Sequence, residues 1–552
     1  MLMNVWNMIS GALVFALSDY LVPPRNGNVF VRTANGDLEG YTLTSRNGRE
    51  YLAFSGIPYG EPPVGRLRFR DPIPARGWEG VRKAHQNVRC VGYQFLLPSK
   101  SFRYVEGQED CLTLSVYTHS TNPSALKPVL VHVHGGAFEL TFPPVFAWKP
   151  TYFMDYDIVV VIVSYRLSLF GFLSFENDDL PGNMGLKDQN LALRWVRDNI
   201  ARFGGDPSQV TVMGESAGGV SAHYHTIMPA SRGLVSKAIC QSGSAYAAWA
   251  LDPPGEARKR ALRLAALAGC SHPSIPKMIT CLQAMPANDL AQLMEKFHGF
   301  WDRDPLVTFK PVVEKPSPTA FITKLPKFWD PVTVPIIAGV ASEDGLLKSS
   351  NMVLPNYDFD FVTRNIYDLL PESLMYNNSY TRDIHGLSVK IVDRYFGGPK
   401  VFSAKDEPIF AQLYSDVFFR YPLALGVEKM ENDVYLYVNG FAYGKVAVIT
   451  PGRTFHVLEM FHLFGVDSRV DIPLPNDANL DFSKDLVQLW TNFVIYGNPN
   501  GLSGTRWRKS PKSSDNLDFL YFTNTSSSMV SGLYADNIRF LRNSGFNELV
   551  DR

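Results

Sequence analysis

Val210-Thr211-Val212-Met213-Gly214-Glu215-Ser216-Ala217-Gly218-Gly219-Val220-Ser221-Ala222-His223 is the stretch that decides the fold. Its first four residues form an apolar, β-branched run of the kind found in strands buried on both faces. The run breaks at Gly214-Glu215-Ser216-Ala217-Gly218 and continues into a segment that reads as a helix. A serine on such a strand-to-helix turn has its hydroxyl presented at the edge of a sheet. Glycines two residues to either side let neighbouring backbone pack close without Cβ clashes. The start of the following helix favours developing negative charge. Ser216 is therefore the candidate nucleophile.

Working outward, similar runs occur at Val129-Leu130-Val131-His132-Val133, Ile158 to Val163, Val334 to Gly339 and Asp433 to Val438. Between the second of these and Val210, the segment Leu186 to Phe203 places Leu193, Val196 and Ile200 on a 3.6-residue stripe. It stops at Gly204-Gly205-Asp206-Pro207, as a helix should. Strands separated by helices predict a mostly parallel sheet covered on both sides. Residues 250–330 and 350–430, rich in helix formers, are expected to roof that sheet. No stretch reads as a linker, so residues 19–552 are expected to form a single domain.

Weak nucleophiles need a base, and a tetrahedral oxyanion needs prearranged N–H donors. His134-Gly135-Gly136-Ala137-Phe138 follows the strand ending at Val133, and its small residues let backbone amides approach a substrate oxygen. Gly136, Ala137 and Ala217 are the expected donors. In a triad that runs serine, acid, histidine along the chain, the acid lies beyond Ser216 and the base beyond the acid. Val340-Ala341-Ser342-Glu343-Asp344-Gly345 places carboxylates just past the C-terminal end of a strand, where α/β sites assemble. Three histidines follow: His385, His456 and His462. His385 precedes the last clear strand and His462 sits in what reads as a buried helix, which leaves His456, on a loop beyond that strand, as the base.

Lys+Arg and Asp+Glu both total 53, so no net charge draws the chain toward phosphate backbones or anionic membranes, and nucleic-acid binding is not expected. An apolar run ending at Ala16-Leu17-Ser18 reads as a signal peptide over residues 1–18, although its start lacks Lys and Arg. No later segment reaches the roughly 20 apolar residues of a membrane span. Sequons at Asn377 and Asn524 fit an exported glycoprotein. Of five cysteines, Cys90 with Cys111 and Cys270 with Cys281 would each close a short loop, leaving Cys240 as a buried thiol.

The chain resembles the type B carboxylesterase family, the cholinesterase and carboxylesterase group, from about residue 28 onward. Its texture is that of insect carboxylesterases. Besides the serine turn, the likeness rests on Phe54-Ser55-Gly56-Ile57-Pro58-Tyr59-Gly60-Glu61-Pro62-Pro63, Glu109-Asp110-Cys111-Leu112, Gly182-Asn183-Met184-Gly185-Leu186-Lys187-Asp188-Gln189, Phe203-Gly204-Gly205-Asp206-Pro207 and Gln241-Ser242-Gly243. The resemblance implies an α/β-hydrolase fold, the triad Ser216, Asp344 and His456, the same three oxyanion donors and the same two disulfides. It also implies Trp249 as an aromatic wall of the acyl pocket and Glu459 as a glutamate behind the triad near Ser242.

Three departures stand out. The acid is usually a glutamate before glycine, whereas Glu343 precedes Asp344 here and stays a rival to it. Ala137 replaces a third glycine, and Val457-Leu458 replaces a glycine-containing phrase after the histidine. The function implied is serine carboxylesterase activity on a small-molecule ester, through an acyl-enzyme and without metal or cofactor. The alternative is a catalytically silent relative serving adhesion or ligand binding. Cholinesterase activity is disfavoured because no tryptophan lies between Cys90 and Cys111, and juvenile hormone hydrolysis because Glu215 stands where a glutamine is usual. Oligomeric state is not legible.

Overall fold

Strand-forming runs in the sequence become the middle of one large sheet in the computed structural model. It describes residues 28–95, 104–141, 148–298, 304–354, 357–442, 452–465, 477–500 and 507–546; the expected signal peptide lies outside them. The strands are β1 (Val29–Arg32), β2 (Asp37–Thr44), β3 (Glu50–Pro58), β4 (Val81–Lys83), β5 (Gly92–Gln94), β6 (Tyr104–Glu106), β7 (Thr113–Thr118), β8 (Lys127–Val133), β9 (Val159–Val163), β10 (Gly205–Glu215), β11 (Lys237–Gln241), β12 (Ile336–Ala341), β13 (Val434–Asn439), β14 (Asp518–Phe522) and β15 (Ser527–Ser531). Among the described residues, thirteen of them form one sheet in the order β1-β2-β3-β7-β9-β8-β10-β11-β12-β13-β14-β15, with β4 beside β2; β5 and β6 pair separately. From β9 to β14 every neighbour is parallel. Antiparallel strands flank this parallel centre at both edges, which makes the sheet mixed.

Alternation along the central strands fills two separate cores. Val131, Val133, Val212, Ala238, Ala338 and Val340 face one, together with Leu193 and Val196 of helix α1 (Met184–Asn199) and Val220 of α2 (Ala217–Ile227). Leu130, Met213, Ile239, Ile337 and Tyr435 face the other. A sheet buried on both faces explains why its strands read as unbroken apolar runs. Helix α1 passes into a turn of 3-10 helix that ends at Gly204, whose φ of 72° is the left-handed cap expected there. Strand β10 begins at Gly205, five residues before the apolar run, with an irregularity in its pairing to β8 between Gly205 and Val210.

Helices α3 (Glu256–Leu267) and α4 (Ile275–Ala284) follow β11, whereas residues 304–330 run as irregular chain with one short 3-10 turn rather than the expected helices. Between β12 and β13 stand α5 (Phe359–Ser373), α6 (Ile384–Phe396), α7 (Glu407–Ser415) and α8 (Tyr421–Glu428), the last two joined by a π-helical turn at Asp416–Arg420. Helix α9 (Asp477–Tyr496) brings Trp490, Phe493 and Val494 to the second core.

Both expected disulfides form, Cys90–Cys111 and Cys270–Cys281, and Cys240 is a free, buried thiol. The second staples the end of α3 to α4 across 11 residues. Constraining so short a loop in the unfolded chain is worth about 3 kcal/mol. Replacing Cys270 and Cys281 together by alanine is expected to lower the thermal midpoint by several degrees. An unchanged midpoint, measured beside wild type, would contradict that stabilisation.

Candidate functional site

Gly136, Ala137, Ser216, Ala217 and Asp344 all follow closely on the C-terminal ends of parallel strands. Paired registers bring Gly214 level with Val133 on one side and Cys240 on the other, and Gln241 level with Gly339. Ser216 follows β10 directly, with φ 58° and ψ −124°, a conformation costly for a side chain with a Cβ. What holds it there is local. Its amide donates to Gln241 O at 2.8 Å, and its carbonyl accepts from Val220 N at 2.9 Å. The two flanking glycines are obligatory, since a Cβ on Gly218 would lie 2.0 Å from Val133 O and one on Gly214 would lie 2.3 Å from the Gly218 carbonyl carbon.

Asp344, fully buried, lies three residues beyond β12. Its Oδ2 accepts from Ser242 Oγ and Ala341 N, both at 2.9 Å, and its Oδ1 lies 2.7 Å from His456 Nδ1. A carboxylate only accepts, so Nδ1 carries the ring proton and Nε2 the lone pair. His456 Nε2 is buried and has no hydrogen-bond partner among the described residues. Ser216 Oγ likewise makes no hydrogen bond among the described residues. Catalytic hydrogen bonds in unliganded enzymes are often loose and tighten when substrate binds. Asp344 is linked to the serine turn through Ser242, the residue after Gln241.

Glu343 is directed elsewhere. It pairs with Arg453 Nε at 2.6 Å, while Arg453 Nη1 holds the buried Glu407 at 2.6 Å. Asp344 alone of the adjacent carboxylates reaches the imidazole. His385 is exposed in the first turn of α6, and His462 is buried, its pKa pushed down to about 3 by desolvation.

Beyond β8 the chain turns through three successive residues of positive φ, Gly136 at 114°, Ala137 at 56° and Phe138 at 59°. The amides of Gly136, Ala137 and Ala217 donate to no acceptor among the described residues, and Ala217 opens helix α2. Unpaired N–H groups beside a helix N-terminus form a cradle for an anionic oxygen. The loop is tied to the serine turn by Glu215, whose Oε1 accepts from Gly135 N at 2.9 Å and whose Oε2 lies 2.9 Å from His132 Nε2. Burial pushes the Glu215 pKa up, but His132 and these hydrogen bonds outweigh it and leave it below the usual glutamate value. This clamp did not emerge from the sequence reading. Its signal is the parity that puts His132, level with Met213, on the same sheet face as Glu215.

Trp249 is buried, its indole N–H donating to Phe418 O at 3.0 Å, and its ring lies 6.1 Å from Phe419. Phe419 in turn lies 4.7 Å from the His456 ring, another neighbour that sequence alone did not single out. Glu459 accepts from Tyr437 OH at 2.8 Å and from Gln241 Nε2 at 3.3 Å. Burial, and then the charge of Asp344, raise its pKa. Both sequon asparagines, Asn377 and Asn524, are exposed. Among the described residues no cluster of three or more His, Cys, Asp or Glu is disposed to hold a metal ion, and no helix is long and apolar enough to cross a membrane.

Comparison with known proteins finds relatives over nearly the whole chain. The chain is 34% identical over 535 residues to a carboxylic ester hydrolase of Bombus ignitus, covering 94% of each chain. It is 33% identical to the juvenile hormone esterase of Tribolium castaneum, covering 86% of this chain and 85% of that one. It is 30% identical to the cholinesterase of Mus musculus, covering 93% and 86% respectively. The model of the carboxylesterase family matches residues 27–541, and the chain belongs to that family of carboxylic ester hydrolases.

Proposed function

We propose that the protein hydrolyses small-molecule carboxylic esters through an acyl-enzyme on Ser216. The observation that carries this reading is the buried Asp344–His456 pair with its free Nε2, linked through Ser242 to a strained Ser216. Nε2 of His456 takes the Ser216 proton as Oγ attacks the ester carbon. Asp344 holds the imidazole in the needed tautomer and stabilises its charge. The carbonyl oxygen becomes an oxyanion received by the amides of Gly136, Ala137 and Ala217, a contribution of about 3 kcal/mol per donor. The C–O bond breaks, the alcohol leaves with the proton from His456, and water repeats the sequence to release the acid and restore Ser216. No metal or organic cofactor enters these steps.

In this reading Trp249 and Phe419 bound the acyl side. Trp249→Leu is expected to raise kcat/KM for an octanoyl ester relative to an acetyl ester by about tenfold, as the loss of a wall admits methylenes. An unchanged ratio would remove Trp249 from the acyl pocket. Export as a single-domain glycoprotein, led by residues 1–18 and modified at Asn377 and Asn524, belongs to the same proposal; it is supported by the exposure of both asparagines and by the two disulfides. The test of function is turnover of a short-chain aryl ester by the purified chain. Turnover is expected; a folded chain that binds the ester without cleaving it would favour the silent-relative reading.

A further inference from the structure

Three consecutive positive φ values at Gly136, Ala137 and Phe138 are backbone that does not hold itself, since two of these residues carry a Cβ. The hydrogen bonds within the loop, Glu139 N and Leu140 N to Gly136 O at 2.9 and 3.0 Å, close it into a turn but do not fix where that turn lies. Long-range groups do: Glu215 holds Gly135 N at its start, Ser168 N donates to Phe138 O at 2.6 Å, and Glu139 anchors its far side. The Glu139 side chain is fully buried, and its carboxylate reaches a segment some 160 residues away. Oε1 accepts from the amides of Thr308 and, at 3.1 Å, Phe309, while Oε2 lies 2.8 Å from His298 Nε2. His298 is itself buried, stacked on Phe95 at 4.0 Å, with Nδ1 3.2 Å from Pro305 O. Burying a carboxylate costs several kcal/mol unless its oxygens are paired in good geometry. A glutamate kept at this cost two residues from Ala137 calls for a role that a leucine could not fill.

We infer that Glu139 is a positioning residue of the oxyanion cradle, acting on the side of the loop opposite the Glu215 clamp. Through His298 and the Thr308 and Phe309 amides it fixes the height of the Gly136 and Ala137 N–H groups above Ser216. This inference rests on the serine acyl-enzyme reading. The interactions of Glu139 do not depend on substrate, so its effect falls on the transition state, where a displaced donor loses most, and little on substrate binding.

The test compares wild type with Glu139→Leu, which keeps the bulk of the side chain but removes both oxygens that accept from His298, Thr308 and Phe309. Each is assayed for kcat and KM on an aryl acetate and for the affinity of an aryl trifluoromethyl ketone. That ketone adds the serine oxygen and places an oxyanion in the cradle. Activity is expressed per site titrated with an aryl dialkyl phosphate, so that misfolded molecules drop out. The variant is expected to lose ten- to a hundredfold in kcat, with KM within threefold of wild type and ketone affinity reduced in proportion. His298→Gln, which retains an N–H for Glu139, is expected to lose less than His298→Ala. An unchanged kcat per titrated site, or a fall in kcat with ketone affinity intact, would overturn the role of Glu139. A wild type that neither titrates nor binds the ketone would overturn the serine reading beneath it.

Discussion

Ser216→Ala is expected to lower kcat on an aryl acetate by about 10⁶-fold, ~8 kcal/mol of transition-state stabilisation, while the fold and KM stay near wild type. The estimate follows from what the alanine leaves behind. The oxyanion cradle and the Asp344–His456 pair are built from other residues and survive the change, so acceleration of a direct water attack by about 10³ over solution remains. Alanine also retains the Cβ that already tolerates φ 58° and loses no hydrogen bond, since Ser216 Oγ makes none among the described residues. A fall of tenfold or less would mean that another nucleophile carries the reaction.

Asp344→Asn is the second large effect, a loss of about 10⁴ in kcat. The asparagine oxygen would keep the bonds from Ser242 Oγ and Ala341 N that now reach Oδ2, which turns the amide NH2 toward His456. Facing a donor, Nδ1 must become an acceptor, so the ring proton moves to Nε2 and the base loses its lone pair on the side of the serine. Glu343→Gln, altering the neighbouring carboxylate that pairs with Arg453, is expected to stay within about threefold of wild type. Equal losses in the two variants would mean that the acid role is shared.

Much of this site was legible in the sequence because the chemistry is concentrated where the local pattern is strongest. Buried parallel strands read as apolar runs, and the turns that leave them carry Ser216, Gly136 and Asp344 within four residues of a strand end. His456 followed from chain order with elimination, since His385 precedes the last clear strand and His462 sits in a helix-like stretch. Between Glu343 and Asp344 no period decides, because both lie on a loop; the choice is made by Ser242 and Ala341, which bind one carboxylate, and by Arg453, which binds the other. Residues 304–330 depart from the expected helices for a different reason: Pro305, Pro311, Pro316, Pro318 and Pro326 forbid an uninterrupted helix, and that local signal outweighs the helix formers around it. Glu139 and His298 stand far apart in the chain, each an unremarked polar residue in its own neighbourhood, and only the fold pairs them.

The most direct measurement is to mix the protein with an aryl ester, quench in acid within milliseconds, and map the acylated peptide by mass. An acyl-enzyme on Ser216 predicts one acyl group per molecule, on the peptide containing Ser216, and none there in Ser216→Ala. Acyl groups on another residue, or rapid turnover with no acylated peptide while product release shows a burst, would contradict it.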